Sequence, residues 1–528
     1  VADIVLINPR FEISYWGMEH ALPLLGKRAN MPVACLPLLA ALTPAEHTVT
    51  LVDENVEALD WNRLARADIV GITGMSVQRH RMQEILIELK KRVGAWSGDH
   101  APTCVVGGPW ISVQEDYFGE LADVIFVGEA EETWPLFLDE WKQGRYQVRY
   151  EQAEKSDMTK LPTPRFDLLK MHHYLFGSVQ FSRGCPFQCE FCDIIVTFGR
   201  RPRLKTSAQI IAELDALRAQ KIDIAFIVDD NLIGNKKAIK VLLRDLIAYQ
   251  QTNGFPFDFF TEVSLDLAED DELLQLMVDA NIISVFIGIE TPNEKSLRET
   301  KKYQNVRPAG TILERVHKIQ QAGIEVWCGM ILGFDNDDPT IFDAQRQFLK
   351  DARIVTAMIG MLHAIPKTPL HARLAKEGRL DLADVPEFGT NVIPKQMSRA
   401  ELRDGYLRVM QTLYEPRAYF KRLEDLYLKE RMPFSQGIVK YWRQHPWAWF
   451  KSQTKNLVSS VVLFARLMRT VPDLRLRMEY RKRVWRLLRK RPDPNLLLLY
   501  ILKCGQHYHQ YTMARQMGTG RGKVVNSF

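Results

Sequence analysis

Short, unbroken apolar runs set the rhythm of the first 150 residues. Ile4–Asn8, Thr48–Val52, Asp68–Thr73, Thr103–Val106 and Val124–Val127 lack the alternation of a half-exposed strand, which predicts strands buried on both faces. Between them, Pro32–Leu42 and Gln78–Val93 place apolar residues at helical spacing. Strands alternating with helices predict an α/β fold, here a doubly wound (Rossmann-like) parallel sheet over residues 1–150. The alternation resumes after residue 177, with strands expected at Ser178–Ser182, Ala225–Val228, Phe259–Val263, Ser284–Gly288, Glu325–Leu332 and Met358–His363. Ser207–Ala219 and Lys236–Thr252 read as crossover helices. Six such strands predict a partial βα barrel over 178–375, open on one side, with its reactive groups at the strand carboxyl ends. Residues 151–177 are polar and pass through Leu161-Pro162-Thr163-Pro164-Arg165, which disfavours helix and reads as a linker. From 376 to 528 strand signals stop and a helical region is expected.

Composition changes this picture little until charge is located. An apolar fraction of 46% and a charged fraction of 25% suit a globular chain, and 528 residues suit two or three domains. The net charge is +6, yet Ile438–Arg491 alone holds 15 Lys or Arg against Asp473 and Glu479. Tyr441, Trp442, Trp447, Trp449, Phe450, Phe464, Tyr480 and Trp485 are interleaved with those cations. Three readings stay open for this region: a solvated helical cap, contact with a membrane surface, or nucleic acid. Nothing after Met432 reads as strands. No apolar run reaches 18 residues, so no membrane span is expected. The opening VADIVLINPR reads as a buried strand and not as a signal peptide.

The cysteines decide the chemistry. Of seven, Cys185, Cys189 and Cys192 stand in a CxxxCxxC knuckle, and Cys35, Cys104, Cys328 and Cys504 are scattered singly. This is not a disulfide framework, and a reducing, cytoplasmic compartment is the expectation. Thiolates are the soft ligands of iron–sulfur clusters. Three ligands on a four-iron (4Fe-4S) cluster leave one iron open to a ligand that is not protein. A structural zinc site would want four N/S ligands, commonly as two pairs, and no second pair is present.

Polar and glycine residues gather where the expected strands end. In the first domain these are Asn8, Asp53, Thr73, Gly74, Ser76, Gly107, Gly108, Gly128 and Glu129. Ligands of doubly wound sheets bind outside those ends. No GxGxxG follows the first strand, which counts against a nicotinamide cofactor. In the barrel the strand ends carry Asp229-Asp230-Asn231, Glu262, Gly288-Ile289-Glu290-Thr291-Pro292 and Gly329-Met330-Ile331-Leu332-Gly333.

The segment Gly177–Arg203, GSVQFSRGCPFQCEFCDIIVTFGRRPR, resembles the cluster-binding loop of the radical S-adenosyl-L-methionine (SAM) superfamily. With RLKT, AELD, VDDN, GIETP, GMILG, IPKTPL and an upstream LVDEN, the chain resembles the cobalamin-dependent radical SAM methylases of the hopanoid C-2 methylase group over roughly residues 1–420. The resemblance implies that Cys185, Cys189 and Cys192 hold the cluster. It implies that Asp230, Glu262 and Glu290 contact SAM or substrate, and that Gly329 and Ile331 lend backbone near the adenine. It implies cobalamin on the strand ends of the first domain, bound without a histidine beneath the cobalt because no DxHxxG is present.

The activity implied is methylation of an unactivated carbon of an apolar substrate of hopanoid type. It proceeds through a 5′-deoxyadenosyl radical and methylcobalamin, with electrons from a donor such as ferredoxin or flavodoxin. Two alternatives remain open: a cyclase or oxidase of tetrapyrroles or other metabolites on the same two cofactors, and a metal-binding RNA-interaction module. The expected place of action is the cytoplasm, extending to the cytoplasmic membrane face if the basic region meets lipid.

Overall fold

A computed structural model describes residues 1–95, 101–307, 310–518 and 526. Two compact units emerge: Val1–Ile13, Arg28–Pro186 and Asp193–Val228 form the first, and Ser14–Lys27, Phe187–Cys192 and Asp229–Phe528 the second.

In the first unit β1 (Asp3–Asn8), β2 (Thr48–Asp53), β3 (Ile69–Thr73), β4 (Thr103–Gly107), β5 (Val124–Val127) and β6 (Arg149–Glu151) make a parallel sheet in the order β2-β1-β3-β4-β5-β6. Helices α1 (Cys35–Leu42), α2 (Arg79–Ala95) and α3 (Thr133–Lys142) connect the strands. The apolar runs become strands because each can be covered on both faces; β3 is buried at every position. Strand order reverses between β1 and β3, so their carboxyl ends form the crevice where such sheets bind ligands. The pattern of the sequence did not announce β6. It is three residues long and only Tyr150 turns inward, stacked on Phe126 at 5.1 Å.

The first unit continues through β7 (Gly177–Val179), β8 (Ser182–Arg183), β9 (Arg203–Leu204), α4 (Ser207–Ala219) and β10 (Ile224–Ile227). β7 pairs parallel with β10. The single strand expected over Ser178–Ser182 is in fact two. β8 leaves β7 to pair antiparallel with β9, making the stem of the cysteine-bearing segment.

The second unit carries β11 (Asp258–Glu262), β12 (Ile282–Glu290), β13 (Glu325–Leu332) and β14 (Ala357–Met361), parallel in the order β14-β13-β12-β11. Its crossovers use α5 (Lys236–Asn253), α6 (Asp271–Asp279), α7 (Glu294–Glu299), α8 (Ile312–Ala322), α9 (Ile341–Asp351) and α10 (Pro369–Lys376). Then come α11 (Arg399–Leu413), α12 (Pro416–Glu424), α13 (Gln436–Gln444), α14 (Pro446–Thr470), α15 (Leu474–Lys490) and α16 (Pro494–Gly518). Helices α11 and α12 are separated by a break just before Pro416. Glu415 sits at ψ 135°, because proline disfavours helical geometry in the residue ahead of it.

Helix α16 is the hub of the helical layer. Lys503 reaches the carboxylate of Glu325 on β13 at 2.5 Å, and the Tyr427 hydroxyl donates to the same carboxylate at 2.8 Å. His507 lies 2.8 Å from the Tyr480 hydroxyl and 2.9 Å from the Tyr414 carbonyl, and burial lowers its pKa to about 3. Among the described residues no helix is long and apolar enough to cross a membrane.

Candidate functional site

The segment that carries Cys185 starts from a charged stem in the first unit. Arg183, at the end of β8, donates through Nη1 to Glu129 at 2.9 Å and to Glu131, while its Nε donates to Gln180 Oε1 at 2.8 Å. Arg203, opposite on β9, donates to both oxygens of Glu129 at 2.8 and 3.0 Å, and to the Ser156 carbonyl at 2.7 Å. The Ser156 amide closes the network on Glu129 Oε2 at 2.9 Å. Burial opposes charge on Glu129, but the Arg203 and Arg183 guanidiniums outweigh it and hold the carboxyl below its ordinary value. Both oxygens of Glu129 are therefore engaged with the stem of the knuckle.

Gly184 follows at φ +94°, in the left-handed region that favours glycine. A Cβ there would stand 2.9 Å from the Gly199 carbonyl oxygen and 3.1 Å from that of Arg201. The adjacent Cys185 amide donates to the same Gly199 oxygen at 3.2 Å. Gly184→Ala is expected to strain this turn by roughly 1–3 kcal/mol and to lower iron incorporation severalfold while the far-ultraviolet circular dichroism is unchanged. Iron per chain after anaerobic reconstitution checks it.

In the second unit Phe187–Cys192 is pinned from several sides. The Glu190 amide donates to the Thr300 carbonyl at 2.9 Å, and the Glu190 carbonyl accepts from the Leu370 amide at 3.0 Å. Its carboxylate pairs with Arg373 at 3.1 Å, and Phe191 packs on the core around Phe334. Cys189 is buried and its sulfur accepts from Gln304 Nε2 at 3.4 Å. The Cys192 amide donates to the Cys189 carbonyl at 3.2 Å.

The strand ends beside this loop hold two electrostatic features. On β12, Glu290 adopts φ +67° and pairs with Lys302 Nζ at 2.7 Å. A bulge in the β12–β13 register falls between Gly288 and Glu290, and Asn305 Nδ2 donates to the carbonyls of Gly288 and Ile289, both at 3.0 Å. A Cβ on Gly288 would collide with Glu290 Oε1 and lie 2.8 Å from Lys302 Nζ, so glycine makes the room for this pair. Lys302 also lies 5.8 Å over the Phe191 ring. Burial works against its charge, but Glu290 and the Cys189 and Cys192 thiols raise its pKa above the ordinary lysine value.

The second feature is acidic. Burial pushes the Glu262 carboxyl up to about 8, and Asp230 and Asp229 add to the effect. Near pH 7 Glu262 is thus largely protonated and can both donate and accept. Below the ordinary value of 4.5 folded and unfolded chains both hold this proton. As pH rises from 4.5 to about 8 only the unfolded chain gives it up, so stability falls across that window and levels off above it. Glu262→Gln is expected to flatten this slope, measured as thermal midpoint against pH. On β13, Gly329 faces Gly288 in register and Ile331 faces Gly360. The Ile331 carbonyl accepts from Gln345 Nε2 at 2.7 Å.

At the carboxyl end of the first sheet, Gln78 Nε2 donates to Asn8 Oδ1 at 2.9 Å, while its Oε1 accepts from the Met75 amide at 3.0 Å. The buried Asp53 accepts from Tyr174 Oη at 2.8 Å and from the Asn55 amide at 2.9 Å, and desolvation raises its pKa. Thr73 and Gly108 touch so closely that a Cβ on Gly108, at φ +96°, would collide with Thr73 Oγ1 and stand 3.1 Å from the Gly74 amide nitrogen. A Cβ on Gly107 would come 3.3 Å from Phe126 Cβ. Gly128, at φ +73°, has nothing within 4 Å of where a Cβ would be. Ser76 lies between the half-exposed Met75 and Val77, and the buried Trp110 Nε1 has no hydrogen-bond partner among the described residues.

Residues 179–344 match the radical SAM superfamily, and residues 368–521 match a domain of unknown function (DUF4070). A hopanoid C-2 methylase of Rhodopseudomonas palustris is 33% identical over 99% of this chain and 95% of its own length. An uncharacterized methyltransferase of Synechocystis is 38% identical over 83% of this chain and 80% of its own length. The chain belongs to the hopanoid C-2 methylase group of cobalamin-dependent radical SAM methylases. Like the family, it is an enzyme that transfers methyl groups. The structure of OxsB, a cobalamin-dependent radical enzyme with aqua-cobalamin and SAM bound, superposes with a TM-score of 0.61 at 15% identity, over 99% of this chain and 81% of that one. The fold of this methylase is therefore the doubly wound sheet, partial βα barrel and helical C-terminal region that its sequence predicts.

The residues present fit the family's cofactors. Cys185, Cys189 and Cys192 are in no disulfide and stand within one short segment of the chain. No three His, Cys, Asp or Glu among the described residues could hold a single metal ion, a requirement that the wider span of a four-iron cluster does not impose. The switch-point end of the first sheet offers glycine backbone, the exposed apolar Met75 and Val77, and an unpartnered indole N–H, features suited to a broad, partly apolar macrocycle. Sequence reasoning assigned no role of their own to Lys302, Gly288, Gln304 and Arg183. Only Arg183, beside the first cluster cysteine, and Gly288, opening GIETP, carried any local signal.

Proposed function

We propose that this methylase transfers a methyl group to an unactivated carbon of a hopanoid-type polycyclic lipid. The observation that carries the reading is the 33% identity to a hopanoid C-2 methylase across 99% of the chain, C-terminal helices included. In this reading a cluster on Cys185, Cys189 and Cys192 with SAM supplies the hydrogen-abstracting radical, and cobalamin supplies the methyl carrier. The chain's own residues place and shield those groups. Asp230, Glu262 and the Lys302-paired Glu290 present polar contacts to SAM, with Gly329 and Ile331 offering backbone to its adenine. Asn8, Thr73, Gly74, Ser76, Gly107, Gly108 and Gly128 cradle the corrin, while Asp53 and Glu129 brace the loops around it. A low-potential donor of ferredoxin or flavodoxin type delivers the electrons. The basic, aromatic helices meet the membrane surface, where an apolar polycyclic substrate resides.

The test is lipid extraction and mass spectrometry from a hopanoid-producing host with and without this gene. A methyl-sized mass difference in hopanoids is expected; an unchanged lipid profile sinks the substrate. Anaerobic incubation with methyl-labelled SAM tests the reaction itself, since a cyclase or oxidase leaves no label in product.

A further inference from the structure

Helices α14 and α15 each turn an apolar stripe to solvent. Of the 25 residues of α14 only Ser460 and Leu467 are buried. Trp447 (83% exposed), Phe450, Leu457 and Val461 recur along its outer face at helical spacing. α15 is apolar twice over. Leu476, Tyr480, Val484 and Leu487 form its buried face, while Leu474, Met478, Trp485 (58% exposed) and Leu488 form a second stripe facing water. One apolar face suffices to dock a helix on a core; the second calls for another partner, because contiguous exposed apolar surface on this scale marks an interaction site.

Both helices rest against α16, and a cleft of about 600 Å³ opens between them. Phe464, Trp485 and Leu488 line its sides, Ile501 its floor, and Arg481 and Lys482 stand among the lining residues. The balance of charge is cationic: α14 carries no acid, and α15 carries only Glu479 against Arg475, Arg477, Arg481, Lys482, Arg483, Arg486, Arg489 and Lys490, of which Arg483 and Arg486 pair with Glu424.

We propose that this cleft is a binding site for an anionic phospholipid of a bilayer surface, with the lipid phosphate on Arg481 and Lys482 and an acyl chain along Phe464, Trp485 and Leu488. A second copy of the chain would set one cationic face against another. Nucleic acid would satisfy the cations and leave the Leu and Val stripes in water, since strand binding relies on aromatic stacking. An anionic bilayer satisfies both sets at once: cations among the phosphates, tryptophans at the interface and aliphatic side chains below it. The inference rests on the membrane-contact part of the proposed function and is independent of the substrate.

The test uses the full chain, loaded with cofactors anaerobically, in flotation with vesicles of phosphatidylcholine alone or of phosphatidylcholine and phosphatidylglycerol in equal amounts. Binding to the anionic vesicles is expected to be more than about tenfold tighter, and Arg481→Glu with Lys482→Glu to weaken it about thirtyfold or more. Both positions are exposed, so the thermal midpoint should stay that of wild type. Phosphatidylglycerol brominated in its acyl chains should quench tryptophan emission, with the quenching reduced in Trp485→Phe. Equal binding to both vesicles, binding indifferent to charge reversal, or quenching undiminished in Trp485→Phe overturns the proposal. So does dimerisation, or capture of transfer RNA, that excludes vesicles. Hopanoid analysis of the gene deletion reads the substrate separately, so failure of either idea leaves the other standing.

Discussion

Cys189→Ala is expected to abolish methyl transfer, by more than about a thousandfold, the scale for losing one member of an interdependent set, while leaving the fold intact. The separation of these two effects follows from the loop. Its shape depends on the Glu190 amide and carbonyl, the Glu190–Arg373 pair and the packing of Phe191, none of which involves the sulfur. Cys189 itself offers one weak acceptor to Gln304 at 3.4 Å. Removing the thiol therefore takes away the proposed cluster ligand at little structural expense. Iron per chain and the charge-transfer absorbance after anaerobic reconstitution should collapse, and the thermal midpoint of metal-free protein should barely move. A variant that keeps both iron and turnover would falsify the assignment of this loop. Gln304→Leu provides a graded comparison, since it removes the hydrogen bond and spares the ligand.

Lys302→Met should destabilise the protein by about 3–5 kcal/mol, the range for stranding one partner of a buried ion pair. Glu290 is nearly inaccessible, and its nearest cation is the Lys302 ammonium at 2.7 Å. The glutamate cannot swing away, because its backbone is held at positive φ and Asn305 grips the two preceding carbonyls. Adding Glu290→Gln to Lys302→Met should recover most of the loss, since the stranded charge is then gone. Urea unfolding of the two single variants and the double variant measures this. A single variant within about 0.5 kcal/mol of wild type, the size of an ordinary surface change, would show that the pair is solvated and not structural.

How far the sequence could be read depended on the range of the interaction. β13 was legible residue for residue as Glu325–Leu332, because the run behind Glu325 carries no other charge and, buried at every position but Trp327, leaves a local pattern. The CxxxCxxC cysteines stood out as proposed cluster ligands because ligand spacing is itself a sequence property. Lys302 was not, since its partner lies 12 residues upstream at the end of a strand and nothing in KKY distinguishes one lysine from the other. β6 escaped for the opposite reason, being too short to show a period. Glu129 stood out at a strand end, but its engagement with Arg183 and Arg203 depends on contacts 54 and 74 residues apart. The helical C-terminal region was legible as a class, whereas the inward turn of nearly every face of α16 was not: helical periodicity identifies one buried stripe, and a hub has several.

That hub also bears on how the chain is made. Glu325 leaves the ribosome 178 residues ahead of Lys503. At translation rates of about 5–20 residues per second, the carboxylate waits about 10–35 s for its base. Until α16 arrives, the strand that carries GMILG has a carboxylate at its amino end without the ammonium that accompanies it in the finished protein. A nascent chain in that state is a natural client for chaperones. Cluster delivery is best timed after α16 has docked on the sheet and Lys503 has met Glu325.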